Sequence, residues 1–397
     1  MTTPAAQPTL PLVPVETGEL WTARQRQASS IHEISYRACF KPQLPAYFIS
    51  RYSEPGDTVY DPFAGRGTTA IETALHDRRI LSNDTNPLSR ILLEPRLELP
   101  EASTIEARLT SLDLTQPPPS PLPYTAIPTP DLSMFYEART LAEIHALRHY
   151  LQHRRATGAE DPIDRWLRMV ATNRLTGHSP GFFSVYTLPP NQATSAKRQL
   201  LINQKRNQTP AYRDVKKLIW KKTRQLLSNL TPSQTASLRA AAPRAHYLES
   251  SATHTPEIPD ASVALTVTSP PFLDIVQYDD DNWLRCWFNH IDTTVINPRI
   301  TMTRTHHIWA TFIREVFAEL HRITRPGGHV AFEVGEIRYG KVRLEETVVP
   351  AAAAAGFHCE KILINTQTFT KTANIWGIKN NTAGTNTNRI VLLRKPA

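Results

Sequence analysis

The stretch that most constrains the fold is residues 59–70, which read Val-Tyr-Asp-Pro-Phe-Ala-Gly-Arg-Gly-Thr-Thr-Ala. A short apolar strand runs into a glycine turn with the spacing G-x-G-x-x-A, and residues 68–75 then read as the first turns of a helix. Glycines allow a tight turn and a close approach of the backbone to a ligand, and the free amides at the helix start face that ligand. The pattern predicts a strand–turn–helix unit of the Rossmann type, and a structural turn or an NAD site carries the same spacing.

An acidic residue, Asp84, ends the next predicted strand, at residues 79–84, and lies 19 residues past Gly65. In units of this kind an acid at that place holds the two hydroxyl groups of a ribose. A helix N-cap is the other ordinary use of an acid at a strand end. The spacing favours a ligand that carries a nucleoside.

A second stretch, residues 265–272, reads Leu-Thr-Val-Thr-Ser-Pro-Pro-Phe. It is an apolar strand that ends in a polar residue, two prolines and an aromatic residue. The two stretches together resemble the amino-methylating DNA methyltransferases, whose glycine motif reads DPFxGSGTT and whose catalytic motif reads [DNS]PP[YFW]. Here the motifs read DPFAGRGTT and TSPPF. A hydride-transfer enzyme has no use for Ser-Pro-Pro-Phe at a strand end, so the pair favours S-adenosylmethionine over NAD as the cofactor.

The resemblance implies an α/β fold with a Rossmann-like sheet typical of S-adenosylmethionine-dependent methyltransferases, and it implies no metal. The backbone of residues 64–67 would approach the methionine part of the cofactor. Asp61 would engage its amino group, directly or through water, and Asp84 would hold its ribose. The cofactor-binding residues that the resemblance implies are Lys41, Pro42, Asp61, Phe63, Ala64, Gly65, Gly67, Thr68, Thr69, Asp84 and Asn86.

The TSPPF motif implies methylation of an exocyclic amine, whose lone pair is normally delocalised into the base. One hydrogen-bond acceptor on each N–H, from Ser269 and from the carbonyl of Pro270, draws the amine toward tetrahedral geometry. Two prolines hold these acceptors in a fixed, extended backbone. An aromatic residue can stack on a base rotated out of the duplex. The predicted catalytic residues are therefore Ser269, Pro270, Pro271 and Phe272.

A strongly basic segment lies between the two motifs. Residues 195–224 hold ten cations against a single acid, Asp214. Such a run is usually a solvated helix face, but phosphate contact is the better interpretation in a chain that modifies a polyanion. The predicted DNA-binding residues are Lys197, Arg198, Lys205, Arg206, Arg213, Lys216, Lys217, Lys221 and Lys222.

These features divide the chain into five predicted parts. They are a flexible arm (1–20), a cofactor-binding half (21–100), a Pro-rich linker (101–130), an inserted, largely helical and basic target-recognition module (131–243), and a catalytic half (244–397). Within these parts, patterning predicts helices at 40–52, 137–153, 163–175, 307–324 and 347–355. It also predicts strands at 245–249 and 329–334, a closing antiparallel hairpin of strands near 359–365 and 388–394, and a basic, DNA-facing loop at 369–388.

Composition agrees with a nucleic-acid partner. The 397 residues carry a net charge of +9, which favours a polyanion. The three cysteines, Cys39, Cys286 and Cys359, are scattered, so neither a disulfide nor a zinc site is expected. No signal peptide or membrane span is apparent. The chain is expected to be a cytoplasmic, nucleoid-associated protein of a bacterium or archaeon, a monomer or homodimer without a membrane contact.

The predicted function is site-specific methylation of the N4 amine of cytosine in double-stranded DNA by base flipping. Serine at the first catalytic position is typical of N4-cytosine enzymes, whereas aspartate is typical of N6-adenine enzymes. The expected context is a restriction-modification system, with a cognate endonuclease as a functional rather than a physical partner. Three alternatives stay open: an N6-adenine DNA methyltransferase, an RNA methyltransferase, and a DNA-binding regulator that retains an idle methyltransferase fold.

Overall fold

The computed structural model describes residues 13–20, 28–36, 39–116, 130–188, 194–271, 278–296, 305–334, 336–337, 342–366 and 387–397. Its strands are β1 (Val15–Gly18), β2 (Thr58–Asp61), β3 (Arg79–Asn83), β4 (His246–Leu248), β5 (Val263–Thr268), β6 (Thr324–Val334), β7 (Glu336–Ile337), β8 (Val342–Arg343), β9 (His358–Thr366) and β10 (Thr387–Arg394).

Eight of these strands form one sheet in the order β1-β9-β10-β6-β5-β2-β3-β4, and β7 and β8 form a separate two-stranded pair. The strands from β6 to β4 in this order are parallel, and β10 lies antiparallel between β6 and β9. The predicted α/β sheet and its closing hairpin are therefore confirmed. After β2, the chain adds β3 and then β4 on one side of β2. The next strand, β5, lies on the other side of β2.

The helices are α1 (Gln43–Tyr52), α2 (Thr68–Leu75), α3 (Leu88–Glu98), α4 (Ala102–Ser111), α5 (Ala138–Ala156), α6 (Pro162–Arg174), α7 (Ala196–Arg206), α8 (Val215–Leu227), α9 (Pro232–Ala241), α10 (Tyr278–Phe288), α11 (Thr293–Ile296), α12 (His306–Ile323) and α13 (Glu345–Ala354). Short 3₁₀ turns lie at Ser30–His32 and Ala242–Arg244. Within the described part of the chain, no helix is long and apolar enough to cross a membrane.

Helices cover both faces of the sheet. Each residue of β5 is buried, as expected for a central parallel strand with a core on both sides. Successive residues of β2 point to opposite faces: Val59 packs with Phe48 of α1, and Tyr60 packs with Phe317 of α12. The continuous apolar run of these strands follows from this two-sided burial.

The inserted helices are continuous with the sheet core. Trp166 of α6 and Ile219 of α8 belong to the same buried cluster as Ile71 of α2 and Leu92 of α3. The indole N–H of Trp166 donates a hydrogen bond to Thr223 Oγ1 at 3.0 Å. The predicted helical character of the insertion is correct, and the helices extend the layer that covers one face of the sheet.

Two predicted boundaries are wrong. Residues 102–111 of the supposed linker form α4, because Ile105 and Leu109 lie on one face of a helix and are buried. Within the supposed flexible arm, Val15–Gly18 forms the edge strand β1, which pairs parallel to β9. Most of the proline-rich stretch of the linker, residues 117–129, lies outside the described residues, as does most of the predicted basic loop at 369–388.

Candidate active site

The candidate site lies where β2, β3, β5 and β6 end, at the edge of the sheet that is called the carboxyl edge below. The order of the sheet reverses direction between β2 and β5. At such a reversal the connections leave toward opposite sides, so a crevice opens outside the strand ends. The glycine turn follows β2 and Ser269 follows β5. The structure therefore brings the predicted cofactor motif and the predicted catalytic motif to one crevice.

The glycine turn, residues 64–67, needs glycine at two positions. Gly65 and Gly67 have φ angles of 52° and 75°, in the left-handed region that other residues rarely adopt. A Cβ atom on Gly67 would lie 2.8 Å from Cδ1 of Leu93. The turn is closed by a hydrogen bond of 2.7 Å from the Gly67 amide to the Ala64 carbonyl. Helix α2 begins at Thr68. The first amides of a helix lack partners within the helix and are the groups that a polar ligand can bind.

Asp84 lies directly after β3 and is tied to this turn. Its Oδ2 accepts the Gly65 amide at 2.8 Å, and its Oδ1 accepts the Asn86 amide at 2.9 Å. Burial, together with the nearby Glu249, raises the pKa of Asp84 to about 6. Asn86 is buried, and its Oδ1 accepts the Leu88 amide at 2.9 Å at the start of α3. Each oxygen of Asp84 retains acceptor capacity for a hydroxyl group of a ligand.

Asp61, the last residue of β2, is buried in the floor of the crevice. Its Oδ1 accepts the Phe63 amide at 3.1 Å and the Thr268 hydroxyl at 2.6 Å. Burial raises the pKa of Asp61 to about 6, and its hydrogen-bond donors oppose that rise. A cationic ligand group would favour the charged form of this buried carboxyl. Asp61 and Asp84 therefore suit a ligand that carries an ammonium group and a ribose.

Arg66 occupies the place where the resembled family has serine in DPFxGSGTT. Its guanidinium donates to Thr68 Oγ1 at 3.0 Å and to the carbonyls of Ile34 at 2.8 Å and Phe40 at 3.3 Å. The segment before α1 is thereby held against the glycine turn. The ring of Tyr36 in this segment lies 3.3 Å from the place a Cβ of Gly65 would occupy. Sequence reasoning did not predict this role of Arg66.

The remaining predicted cofactor residues lie around the same turn. Thr69 Oγ1 donates to the Val267 carbonyl at 3.1 Å. The half-buried ring of Phe63 lies 6.0 Å from the ring of Phe312, measured between centroids. Pro42 is the residue before α1, and burial lowers the pKa of the neighbouring Lys41. A cofactor contact of Lys41 stays a prediction.

The catalytic motif begins at the end of β5. Ser269 is half-buried and Pro270 is buried. The carbonyl of Pro271 accepts the Trp309 indole N–H at 2.9 Å, which anchors the motif to α12. Phe272, the predicted aromatic residue of the motif, lies outside the described residues. Three of the four predicted catalytic residues are thus placed at the carboxyl edge, beside the glycine turn.

Glu333, a residue that sequence reasoning missed, contacts Ser269. It is buried near the end of β6, and its carboxyl group shares a hydrogen bond with the Ser269 side chain. Asn388 Nδ2 donates to Glu333 Oε1. Burial raises the pKa of Glu333 to about 7. A carboxyl group that titrates near neutral pH beside a reacting group can accept a proton. The sequence signal was a single acid inside the apolar run 330–334.

The predicted DNA-binding cations differ in how exposed their side chains are. Lys197, Arg198, Lys205, Lys217 and Lys221 are exposed, and Arg206 is exposed with its guanidinium carbon 3.8 Å from the ring centroid of Tyr186. Arg213 is half-buried.

The prediction for Lys222 is wrong, and that for Lys216 needs correction, because both contact the protein itself. Lys222 is 5% exposed, lies 3.9 Å from Glu33 and donates to Gln225. Burial, together with the nearby Arg174, lowers the pKa of Lys222 to about 7. The half-buried Lys216 donates from Nζ to the Leu112 carbonyl at 2.7 Å. Sequence alone did not separate the outer from the inner face of α8.

Comparisons with known proteins match the first part of the chain. Residues 14–89 match the family model described as DNA methylase, of the N6/N4 type. A curated relative, the type II methyltransferase M.MjaII of Methanocaldococcus jannaschii, is 32% identical over 75 residues, which are 19% of this chain and 14% of the relative. The matched stretch is thus a small part of the relative's length. Both matches support the DNA methylase family, and neither separates its N4-cytosine branch from its N6-adenine branch.

Two solved structures are also similar. One is a candidate DNA modification methylase from Thermus thermophilus in complex with S-adenosyl-L-methionine, with 21% identity, 35% of this chain and 50% of that chain covered, and a TM-score of 0.22. The other is a SAM-dependent methyltransferase from Methanosarcina mazei, with 10% identity, 88% and 97% of the chains covered, and a TM-score of 0.32.

Proposed function

We propose that this protein is an S-adenosylmethionine-dependent DNA methyltransferase that methylates the N4 amine of a cytosine rotated out of duplex DNA. The observation that carries the proposal is the juxtaposition of the two motifs. The glycine turn, with Asp61 and Asp84 beside it, shares one crevice with Ser269 and Glu333. The family match at residues 14–89 supports the proposed cofactor, and the sequence TSPPF supports the proposed methylation of an amine.

The residues of the crevice fit S-adenosylmethionine. Its ammonium group would pair with the buried Asp61 and its ribose hydroxyls would donate to the half-buried Asp84, and both acids have raised pKa values. The left-handed turn at Gly65 and Gly67 lets the backbone lie close to the methionine part. When bound, the cofactor supplies an electrophilic methyl group on a sulfonium, whose sulfur leaves as a neutral thioether.

The protein's own groups prepare the amine and remove its proton. The Ser269 hydroxyl and the Pro270 carbonyl each accept one N–H of the cytosine amine, which localises the nitrogen lone pair toward the methyl group. The new N–C bond forms as the C–S bond breaks, and the nitrogen then carries a surplus proton. Glu333, hydrogen-bonded to Ser269, accepts this proton through the serine hydroxyl. Orientation of the amine and the methyl group provides most of the acceleration.

Cytosine is the proposed base because the first residue of the catalytic motif is serine, and adenine is the second candidate. Double-stranded DNA is the proposed partner, and the exposed cations of α7 and α8 are its proposed phosphate contacts. The restriction-modification context, the oligomeric state and the nucleoid location stay predictions.

Methyl transfer from labelled S-adenosylmethionine tests this function. Unmethylated duplex DNA should take up label, and Ser269→Ala should lower the rate about 100-fold, because a positioned acceptor at the reacting centre is lost. Cofactor binding, followed by calorimetry, should persist in that variant. Ser262→Ala, an exposed serine before the other end of β5, is the matched control and should act as wild type.

Each failure has a different meaning. A Ser269→Ala variant with full activity would remove the serine from the site. Label found in RNA alone would overturn the substrate, and a wild-type protein that binds no S-adenosylmethionine would overturn the cofactor.

A further inference from the structure

A hydrogen bond joins the two motifs across the floor of the crevice. Thr268, the residue before Ser269, donates from Oγ1 to Asp61 Oδ1 at 2.6 Å, and the two residues are 207 positions apart in the chain. Thr268 is fully buried and Asp61 is nearly so. The contact therefore links the proposed cofactor-binding acid directly to the strand that presents the catalytic serine.

A second bond crosses the same gap. Thr69, in the first turn of α2, donates from Oγ1 to the Val267 carbonyl at 3.1 Å. The ladder between the two strands pairs Val59 with Leu265 and Tyr60 with Thr266. Beyond those pairs, side-chain hydrogen bonds hold the diverging ends of β2 and β5 at a fixed spacing.

Resting on the proposed function, we propose that Thr268 is a positioning residue that sets the distance between the methyl group of the cofactor and the target amine. Asp61 would hold the ammonium end of the cofactor, and Ser269 would hold the amine. Thr268 precedes Ser269 in the chain, so its hydrogen bond to Asp61 fixes the position of Ser269 relative to Asp61. A displacement of about 1 Å between reacting groups can cost on the order of 100-fold in rate.

The charge of Asp61 depends on its donors. The pKa of Asp61 is about 6: burial and the facing Asp84 raise it above the ordinary value, and the Thr268 hydroxyl and the Phe63 amide oppose that rise. Without the Thr268 hydroxyl, the ionised form loses one stabilising donor, so the pKa of Asp61 rises further. The proposed binding of the cofactor needs ionised Asp61. As the pH falls, a variant without this hydroxyl should therefore lose cofactor affinity at a higher pH than the wild type does.

Thr268→Val tests the proposal, because valine keeps the shape of threonine and removes the donor. We expect kcat to fall at least about 10-fold and the pH midpoint of S-adenosylmethionine affinity, measured by calorimetry, to move upward from its wild-type value. Thr268→Ser, which restores a hydroxyl group, should recover both properties. The matched control is Thr266→Val on the same face of β5, since the Thr266 hydroxyl has no hydrogen-bond partner among the described residues. It should leave the pH midpoint unchanged.

The outcomes separate this proposal from the proposed function. A wild type that binds the cofactor and methylates DNA, beside a Thr268→Val variant with the same kcat and pH midpoint, overturns the role of Thr268 alone. A wild type that binds no cofactor overturns both proposals. Should Thr268→Val not fold, Asp61→Asn gives a second measurement. It keeps the acceptor oxygen without the charge, so its weakened affinity should show no titration near pH 6. A retained titration would contradict the role of Asp61.

Discussion

Three acids at the carboxyl edge, the buried Asp61 and Glu333 and the half-buried Asp84, have pKa values closer to neutral pH than exposed acids do. Burial raises the pKa of Asp61 and of Asp84 to about 6, and that of Glu333 to about 7. The first two lie beside the glycine turn, where a cationic ligand would favour their charged forms. The third lies beside Ser269, where it would accept the proton in the proposed reaction. Their different neighbours give the three acids different roles.

The role of Glu333 predicts a pH-dependent rate. Glu333 must be ionised to accept the proton of the amine, so methyl transfer should rise as the pH increases through about 7. Glu333→Gln should lower the rate about 100-fold at pH 8 and remove that step from the pH profile. The exposed acid Glu315 on α12 provides the control, since Glu315→Gln should keep the wild-type profile. A Glu333→Gln variant with a wild-type profile would contradict the proton transfer.

The same group predicts a stability difference. Folded Glu333 holds a proton that the unfolded chain releases above about pH 4.5, so its contribution to the free energy of unfolding decreases as the pH rises from there to about 7. Glu333→Gln removes this decrease. Urea unfolding at pH 5 and pH 8 should show that the variant gains stability relative to the wild type at the higher pH. A relative loss there would mean that the buried carboxylate is stabilised by its neighbours.

Asp84 should contribute directly to cofactor affinity. Asp84→Ala removes acceptors for two ribose hydroxyls, and hydrogen bonds to a charged group predict a loss of about 10-fold to 100-fold in affinity for S-adenosylmethionine. Calorimetry measures this loss, and a thermal melt reports whether the tie to the Gly65 amide is needed for folding. Asp113→Ala, at an exposed acid, is the control. Unchanged affinity would remove Asp84 from the site.

Among the helices, α8 shows how the fold divides a basic sequence into two faces. The side chain of Lys222 points inward to Glu33 and Gln225, and the ammonium group of Lys216 donates a hydrogen bond to the Leu112 carbonyl. Lys217 and Lys221 are four residues apart, so they share one face of the helix, and both are exposed. The outer face of α8 is therefore the part of this helix that a phosphate backbone can reach.

Charge reversal on this outer face tests DNA contact by α8. Lys217→Glu with Lys221→Glu should weaken binding to every DNA sequence and reduce the slope of log K against log salt by about 2, because phosphate contacts are independent of sequence. The control is Arg244→Glu with Arg314→Glu, which changes the net charge equally at two exposed positions elsewhere. Loss confined to one DNA site would mean that these lysines read bases, and no loss would make them a solvated face.

Elements with a strong local pattern were predicted well, and contacts between distant elements were not. Helix α2 has the predicted bounds Thr68–Leu75, because a left-handed glycine starts it. Helix α4 was missed because prolines surround it, and β1 because its four residues gain their partner only from β9. The burial of Lys222 and the contact between Glu333 and Ser269 depend on packing between distant segments, which no local pattern encodes.

At the scale of the whole molecule, the reversal of sheet order between β2 and β5 joins motifs that are about two hundred residues apart in sequence. The family match covers residues 14–89. The proposed role of the catalytic half therefore rests on the TSPPF sequence and on the position of Ser269 after β5. Helices α6, α8 and α9 pack against α2, α3 and α4, and they share a buried core with α2 and α3, so the inserted helices do not form a separate body.

The most direct test of the central claim identifies the methylated nucleoside. The purified protein is incubated with S-adenosylmethionine and genomic DNA that lacks its own methylation, and the DNA is digested and analysed by nucleoside mass spectrometry. We expect N4-methylcytosine, and we expect it to be absent when Ser269→Ala replaces the wild type. N6-methyladenine as the product would contradict the interpretation of Ser269, and no methylated nucleoside in DNA would contradict the proposed function.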